Sequence, residues 1–239
     1  MYAPAKMPAP VAAPERGEGA TSGYLDERLD RSPDPTPSDI AAMRADYAGN
    51  VSLIDDRIGE ILETIENRGE LDNTVIVFSS DHGELNGDYG LIYKETFLDG
   101  SVRVPLIVRT PDTIGSATAG AVADSPVEWF DIGPTIVELA GGTLEHRHFA
   151  RSLCPQLVEP YREHRDYAIS ELRGEIMYLD REWKLFINAQ GLPYRLFNIQ
   201  DDLREEHDLV SDPSVADTID RLRTRVQEHL VRNQVRLGE

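Results

Sequence analysis

Val75-Ile76-Val77-Phe78-Ser79-Ser80-Asp81-His82-Gly83-Glu84 decides how the chain reads, because an unbroken apolar run ends in two groups able to hold a metal ion. From Thr74 to Ser80 the residues are apolar and β-branched without alternation, the pattern of a strand covered on both faces in a parallel sheet. Upstream, Val51, Ile54, Ile58, Ile61 and Ile65 fall on one side at helical spacing. Thr36 can cap that helix, Pro37 suits its first position, Asp39 stands three residues after the cap, and Gly69 supplies the stop. A helix packed on something and then a buried strand predict an α/β fold.

Working outward, a loop from Gly83 to about Asp99 leads to a second buried strand, Pro105 to Arg109, with Leu106, Ile107 and Val108 as its core. A helical stretch follows with Trp129, Phe130, Ile132, Ile136, Val137 and Leu139, interrupted by Pro134 and closed by Gly141-Gly142. The pattern then shortens: Tyr167 to Glu171, Glu175 to Leu179, Trp183 to Ile187 and Tyr194 to Asn198 read as a small antiparallel sheet. Val215, Ile219, Leu222, Val226 and Leu230 mark a closing helix. Three regions are expected: an irregular Pro-rich segment at 1–37, an α/β portion at 38–150, and a small α+β subdomain at 151–239.

The formal net charge of −19 over 239 residues excludes the usual electrostatics of a nucleic-acid binder and disfavours an anionic membrane surface. The single cysteine, Cys154, rules out a disulfide framework and reads as a structural or loop thiol. No apolar run is long enough to span a bilayer, and the first residues lack a signal-peptide core, so the chain as written reads as cytoplasmic.

Ligands of open α/β sheets gather at the carboxyl ends of strands, where Asp81 and His82 fall. The carboxylate is a hard donor and the imidazole a borderline one, which together suit Ca²⁺, Mg²⁺, Mn²⁺ or Zn²⁺. Read alone, the pair fits equally a turn-capping aspartate beside a solvent-facing histidine, and Lys94 fits a solvated loop charge.

The run Asp81-His82-Gly83-Glu84-Leu85-Asn86-Gly87-Asp88-Tyr89-Gly90-Leu91-Ile92-Tyr93-Lys94, continued by Ser101-Val102-Arg103-Val104-Pro105-Leu106-Ile107-Val108-Arg109, closely resembles the sulfatase family of the alkaline phosphatase superfamily. The resemblance extends back over Tyr47 to Gly69 and forward through Ser125-Pro126-Val127, Asp131-Ile132-Gly133-Pro134-Thr135, Trp183-Lys184-Leu185 and Arg195-Leu196-Phe197-Asn198 with Asp201. It implies part of an alkaline-phosphatase-like α/β/α sandwich with a small C-terminal antiparallel sheet plus helix. It implies further that Asp81 and His82 ligate one divalent metal ion, Ca²⁺ before Mn²⁺, Mg²⁺ or Zn²⁺. Lys94 then faces the oxygens of a small anionic ester, and Tyr89 stands where many members carry histidine. The implied activity is metal-dependent hydrolysis of sulfate esters. A phosphonate or phosphate monoester hydrolase of the same superfamily and a non-catalytic degenerate module are the alternatives.

Members of that family make their nucleophile from a Cys/Ser-x-Pro-x-Arg motif, and the motif does not occur here; Cys154 is followed by Pro155 and Gln156. Asp55-Asp56 lies within the helix and reads as a solvated pair. His146, His148, His164, His207 and His229 have no ligand-like spacing and receive no role. The chain is therefore expected to be the C-terminal portion of a sulfatase-like protein, weakly active or inactive alone, whose parent could be exported. Its exposed sheet edge is expected to invite association or a homo-oligomer.

Overall fold

The computed structural model describes residues 2–14, 20–33, 35–113, 115–145 and 148–233. The chain divides into two compact units, one of residues 1–13 and 28–120, the other of 14–27 and 121–239. The helix α1, Tyr24–Arg31, contributes residues to each. It lies inside the segment expected to be irregular; the prolines and glycines around it conceal one short amphipathic stretch.

In the first unit the 31-residue helix α2, Pro37–Asn67, begins with the capping box that Thr36 and Asp39 announce. The Asp39 amide donates to Thr36 Oγ1 at 3.2 Å, and the Thr36 amide donates back to Asp39 Oδ2 at 3.0 Å. At the other end Gly69 has φ 69°, its amide bonds Glu66 O at 2.7 Å, and the Glu70 amide bonds Ile65 O at 3.2 Å. This pair of returning bonds is a Schellman cap, which a left-handed glycine closes without strain. Both ends are thus written locally.

The apolar stripe of α2 departs from expectation: Val51, Ile54 and Ile61 are each more than half exposed, so within the described residues the helix is not packed along that face. Periodicity identifies which face is apolar and carries no information on whether its partner is present. The strands depart too. β1, Ile76–Ser79, and β2, Leu106–Arg109, pair antiparallel with each other, Phe78 opposite Ile107, in a two-stranded sheet; the short helix α3, Asp99–Val102, precedes β2. The expected parallel, doubly covered strand is corrected on both counts, since Phe78 and Ile107 are exposed. An unbroken apolar run signals two apolar faces and says nothing about the direction of the neighbour.

The second unit holds α4, Ile132–Leu139, and α5, Cys154–Val158, then a four-stranded antiparallel meander of β3, Ala168–Leu172, β4, Glu175–Leu179, β5, Trp183–Ile187, and β6, Pro193–Asn198. The closing helix α6, Ala216–Asn233, sets Leu222 and Val226 against Tyr178, Trp183, Leu185, Ile187 and Leu196. Pro134 sits in the first turn of α4, where its missing N–H costs no helical hydrogen bond.

Every residue of β5 is buried, so both faces of the sheet are covered. On the face away from α6, Lys184 is fully buried and bonds Glu205, and Arg195 is fully buried and bonds Asp26, with Asp208 Oδ2 3.5 Å from Arg195 Nε. Burial raises the Asp208 pKa, opposed by the Leu196 and Val210 amides and by Arg195. Paired charges of this kind add little net stability against an apolar pair of equal volume, yet removing one partner strands the other in a low-dielectric interior.

Lys184→Met should therefore lower stability by roughly 3–5 kcal/mol, and Lys184→Met/Glu205→Met should recover most of the loss, as measured by denaturant unfolding. Equal losses in the single and double variants would contradict this account of the pair.

Candidate active site

The chain leaves β1 at Ser79 and turns at once, and the turn is fixed by its own polar groups. Asp81 Oδ1 accepts the His82 amide at 3.0 Å, and Ser80 Oγ donates to His82 O at 2.8 Å. His82 Nε2 lies 3.4 Å from Asp81 Oδ2, so the two donor atoms converge on one point. Lys94, twelve residues on, brings Nζ to 2.6 Å from the same Nε2. The structure thus gathers all three residues singled out in the sequence, Asp81 and Lys94 exposed and His82 half-buried.

The tautomer follows from the partners. Lys94 Nζ only donates and Gly83 O only accepts, so the proton sits on His82 Nδ1, which donates to Gly83 O at 2.8 Å, and the Nε2 lone pair faces outward beside Asp81. That is the form in which an imidazole ligates a metal, oriented by a backbone carbonyl behind it. The donor pair therefore fits a divalent ion as two of its ligands. Among the described residues no group of three or more His, Cys, Asp or Glu converges to complete a shell.

Lys94 is delivered by an unusual loop. Asn86, Tyr89, Tyr93 and Glu95 all have positive φ without being glycine, at 51°, 58°, 67° and 70°. Such residues cost of order 1–3 kcal/mol each and persist only where surrounding contacts over-determine them. Tyr89 is 3% exposed and packs inside the loop, with its amide on Val11 O at 2.8 Å. No spacing in the sequence signals this strain; Gly87 and Gly90 mark only that a loop is present.

A second polar cluster escaped the sequence. His164 Nε2 lies 3.0 Å from Asp131 Oδ2; Arg165 donates to Asp131 Oδ1 at 2.5 Å and bonds Glu128, whose other oxygen accepts the Ile169 amide at 2.8 Å. Asp131 is fully buried and Thr135 Oγ1 donates to its carbonyl at 2.6 Å. His164 thus has a buried partner 33 residues distant, a relation no local pattern shows. His148 Nδ1 bonds Ala150 O, His207 is exposed, and His146 lies outside the described residues. Cys154 starts α5 with its thiol pushed up by burial, in keeping with a structural residue.

A model of the sulfatase family matches residues 7–142, more than half of the chain. The chain belongs to the sulfatase family. It is 31% identical to arylsulfatase K of Danio rerio over 200 residues, covering 78% of this chain and 38% of that protein. With the choline-sulfatase of Rhizobium meliloti it shares 30% identity over 187 residues, 75% of this chain and 35% of the other. The phosphonate monoester hydrolase of Silicibacter pomeroyi has a similar structure, with a TM-score of 0.86 at 28% identity, covering 98% of this chain and 52% of that one. This sulfatase chain therefore spans well under half of the curated relatives' length and about half of the solved one. Its α/β fold class is that of the alkaline phosphatase superfamily, whose members use a divalent metal ion. No described helix is long and apolar enough to cross a membrane.

Three outcomes are expected. A Cβ on Gly83 would stand 2.1 Å from Gly100 O, a backbone atom that cannot turn aside, so Gly83→Ala should cost roughly 1–3 kcal/mol in thermal unfolding and loosen the site. Gly59→Ala, which meets nothing within 4 Å inside α2, should instead stabilise by about 0.5–1 kcal/mol. Burial holds His164 below its ordinary 6.5, opposed by Asp131 and aided by Arg165 and Arg151, and burial lowers His229 likewise. The unfolded chain then binds protons that the folded chain refuses. Their stabilisation is complete above 6.5 and is lost as pH falls through the lowered folded values, so thermal midpoints should drop on acidification from about pH 7.5 to 5.5, and less so in His164→Gln.

Proposed function

We propose that this chain carries part of the active site of a metal-dependent sulfuric ester hydrolase, with Asp81 and His82 as two ligands of one divalent ion and Lys94 as the cation that faces the ester. The observation that carries the reading is the convergence of Asp81 Oδ2, His82 Nε2 and Lys94 Nζ at one point on the exposed end of β1. A bound divalent ion would supply Lewis-acid polarisation of the sulfuryl oxygens. Gly83 O holds the His82 ring in the ligating tautomer, and the Asp81 carboxylate brings the negative charge that favours a cation beside it. The Lys94 ammonium, beside the same imidazole, would be within reach of an anion held there, where it would stabilise charge developing on the ester oxygens.

The donor set also bears on the ion. An imidazole nitrogen suits Zn²⁺ and Mn²⁺ better than it suits Ca²⁺, which prefers all-oxygen shells. On this pair alone Zn²⁺ and Mn²⁺ should outrank Ca²⁺, the ion that the family resemblance places first. The phosphonate monoester reading is the second one, favoured by the 28% identity and 0.86 TM-score to the Silicibacter pomeroyi enzyme.

Neither the nucleophile motif nor further ligands are supplied by the described residues, so the activity belongs to a larger assembly. We place its complementary part on the exposed stripe of Val51, Ile54 and Ile61 and on the edges of the β1–β2 pair, which among the described residues pairs with no further strand. Small anionic esters are the substrate class.

Calorimetric titration of the purified chain with Mn²⁺, Zn²⁺ and Ca²⁺ is expected to show one weak site, weakened a further tenfold or more, about 1.4 kcal/mol, by Asp81→Asn or His82→Ala. Identical binding in the variants would sink the site. Turnover of an aryl sulfate by the chain alone should be slight, and robust turnover would overturn the claim that the site is incomplete.

A further inference from the structure

The strain around Lys94 has no place in the chemistry described above, and its support identifies a residue with a definite task. Lys94 lies between two left-handed residues, Tyr93 at φ 67° and Glu95 at φ 70°. Tyr93 is 67% exposed, so side-chain packing does not hold its backbone in place. Hydrogen bonds do. The Tyr93 amide donates to Glu84 Oε1 at 2.5 Å, and the Asn86 amide donates to the same oxygen at 3.1 Å. The Leu85 amide donates to Tyr93 O at 2.8 Å, so consecutive residues grip Tyr93 by both its backbone groups. On the other side Arg28 donates to Ile92 O at 2.9 Å and stands 3.6 Å from Glu95 Oε2.

Glu84 is two residues from His82, and Tyr93 is the neighbour of Lys94. One carboxylate oxygen therefore ties the segment bearing the imidazole to the segment bearing the ammonium. A carboxylate accepting two amides makes charge-assisted bonds, the kind strong enough to hold an exposed residue in an unfavourable conformation. We propose that Glu84 is the positioning residue of this site: by accepting the Tyr93 and Asn86 amides it holds Lys94 Nζ on His82 Nε2 and so presets the spacing between the metal ligand and the substrate-facing cation. The proposal rests on the reading of Asp81, His82 and Lys94 as one site. Glu84 itself touches neither metal nor ester.

Two readouts on the ¹⁵N-labelled full chain test it at constant pH. The imidazole nitrogen shifts of His82 report its tautomer, and hydrogen exchange reports the Tyr93 amide. In the unaltered chain the proton is expected on Nδ1, and the Tyr93 amide is expected to exchange at least about tenfold more slowly than an open loop amide despite its exposed side chain. Glu84→Ala should abolish that protection and shift His82 toward the Nε2-protonated form, while Glu84→Gln, which keeps Oε1 as an acceptor, should retain most of both. Retention of tautomer and protection in Glu84→Ala would overturn the role of Glu84. Fast exchange at Tyr93 in the unaltered chain would overturn it as well, whether or not the variant folds. An Nε2-protonated His82 in the unaltered chain, with Tyr93 protected, would instead remove the site reading on which the proposal stands.

Discussion

The absence of one carbon atom, at Gly83, is the constraint on which the site depends. The Gly83 amide bonds Ser101 O at 2.8 Å, with Gly100 O packed where a side chain would begin. This close backbone contact brings the end of β1 against α3, and the seventeen residues between Gly83 and Ser101 are left to fold back over a short span. That geometry forces the loop to be compact, buries Leu85, Leu91, Phe97 and Leu98 almost completely, and places Lys94 above His82. Strained residues are affordable there because the buried leucines and the carboxylate of Glu84 over-determine the path of the chain. His82 and Lys94 thus stand together on a loop held by packing and hydrogen bonds, which is what the proposed site needs if its electrostatics are to be set before substrate arrives.

The two units use charge in different ways. In the first, Asp81, His82 and Lys94 lie open to solvent with lone pair, carboxylate and ammonium turned to one point. In the second, Lys184 pairs with Glu205, Arg195 with Asp26 and Asp208, Arg165 with Glu128 and Asp131, and His164 with Asp131, all of them buried. The burial-driven pKa shifts at Glu128, Asp208 and His164 accordingly report structural networks. Perturbed titration marks functional sites only as a tendency, and ion networks inside a small sheet produce the same effect.

What the sequence revealed was what is encoded locally. The capping box of Thr36 and Asp39 and the Gly69 stop lie within a few residues of what they control, and both appear in the structure. The four strands of the meander fall within a residue of expectation because turn residues punctuate them. Non-local relations stayed hidden. Strand direction at β1 depends on a partner thirty residues away, burial of the α2 stripe on chain that covers it, and the helix α1 on Gly23, whose missing side chain leaves room for the Tyr194 ring. The same holds for the candidate site: Asp81, His82 and Lys94, singled out through a family motif, come together in the structure, whereas the amides that the Glu84 carboxylate accepts and the pairing of His164 with Asp131 follow from no local pattern.

The central claim is that a divalent ion belongs between Asp81 and His82. Anomalous diffraction from crystals grown with Mn²⁺ tests it most directly. The account predicts one strong peak roughly 2.0–2.3 Å from both Asp81 Oδ2 and His82 Nε2, with Lys94 Nζ moved off the nitrogen but still beside the ion. A peak located elsewhere, or none at saturating metal with Lys94 still seated on His82, would contradict it.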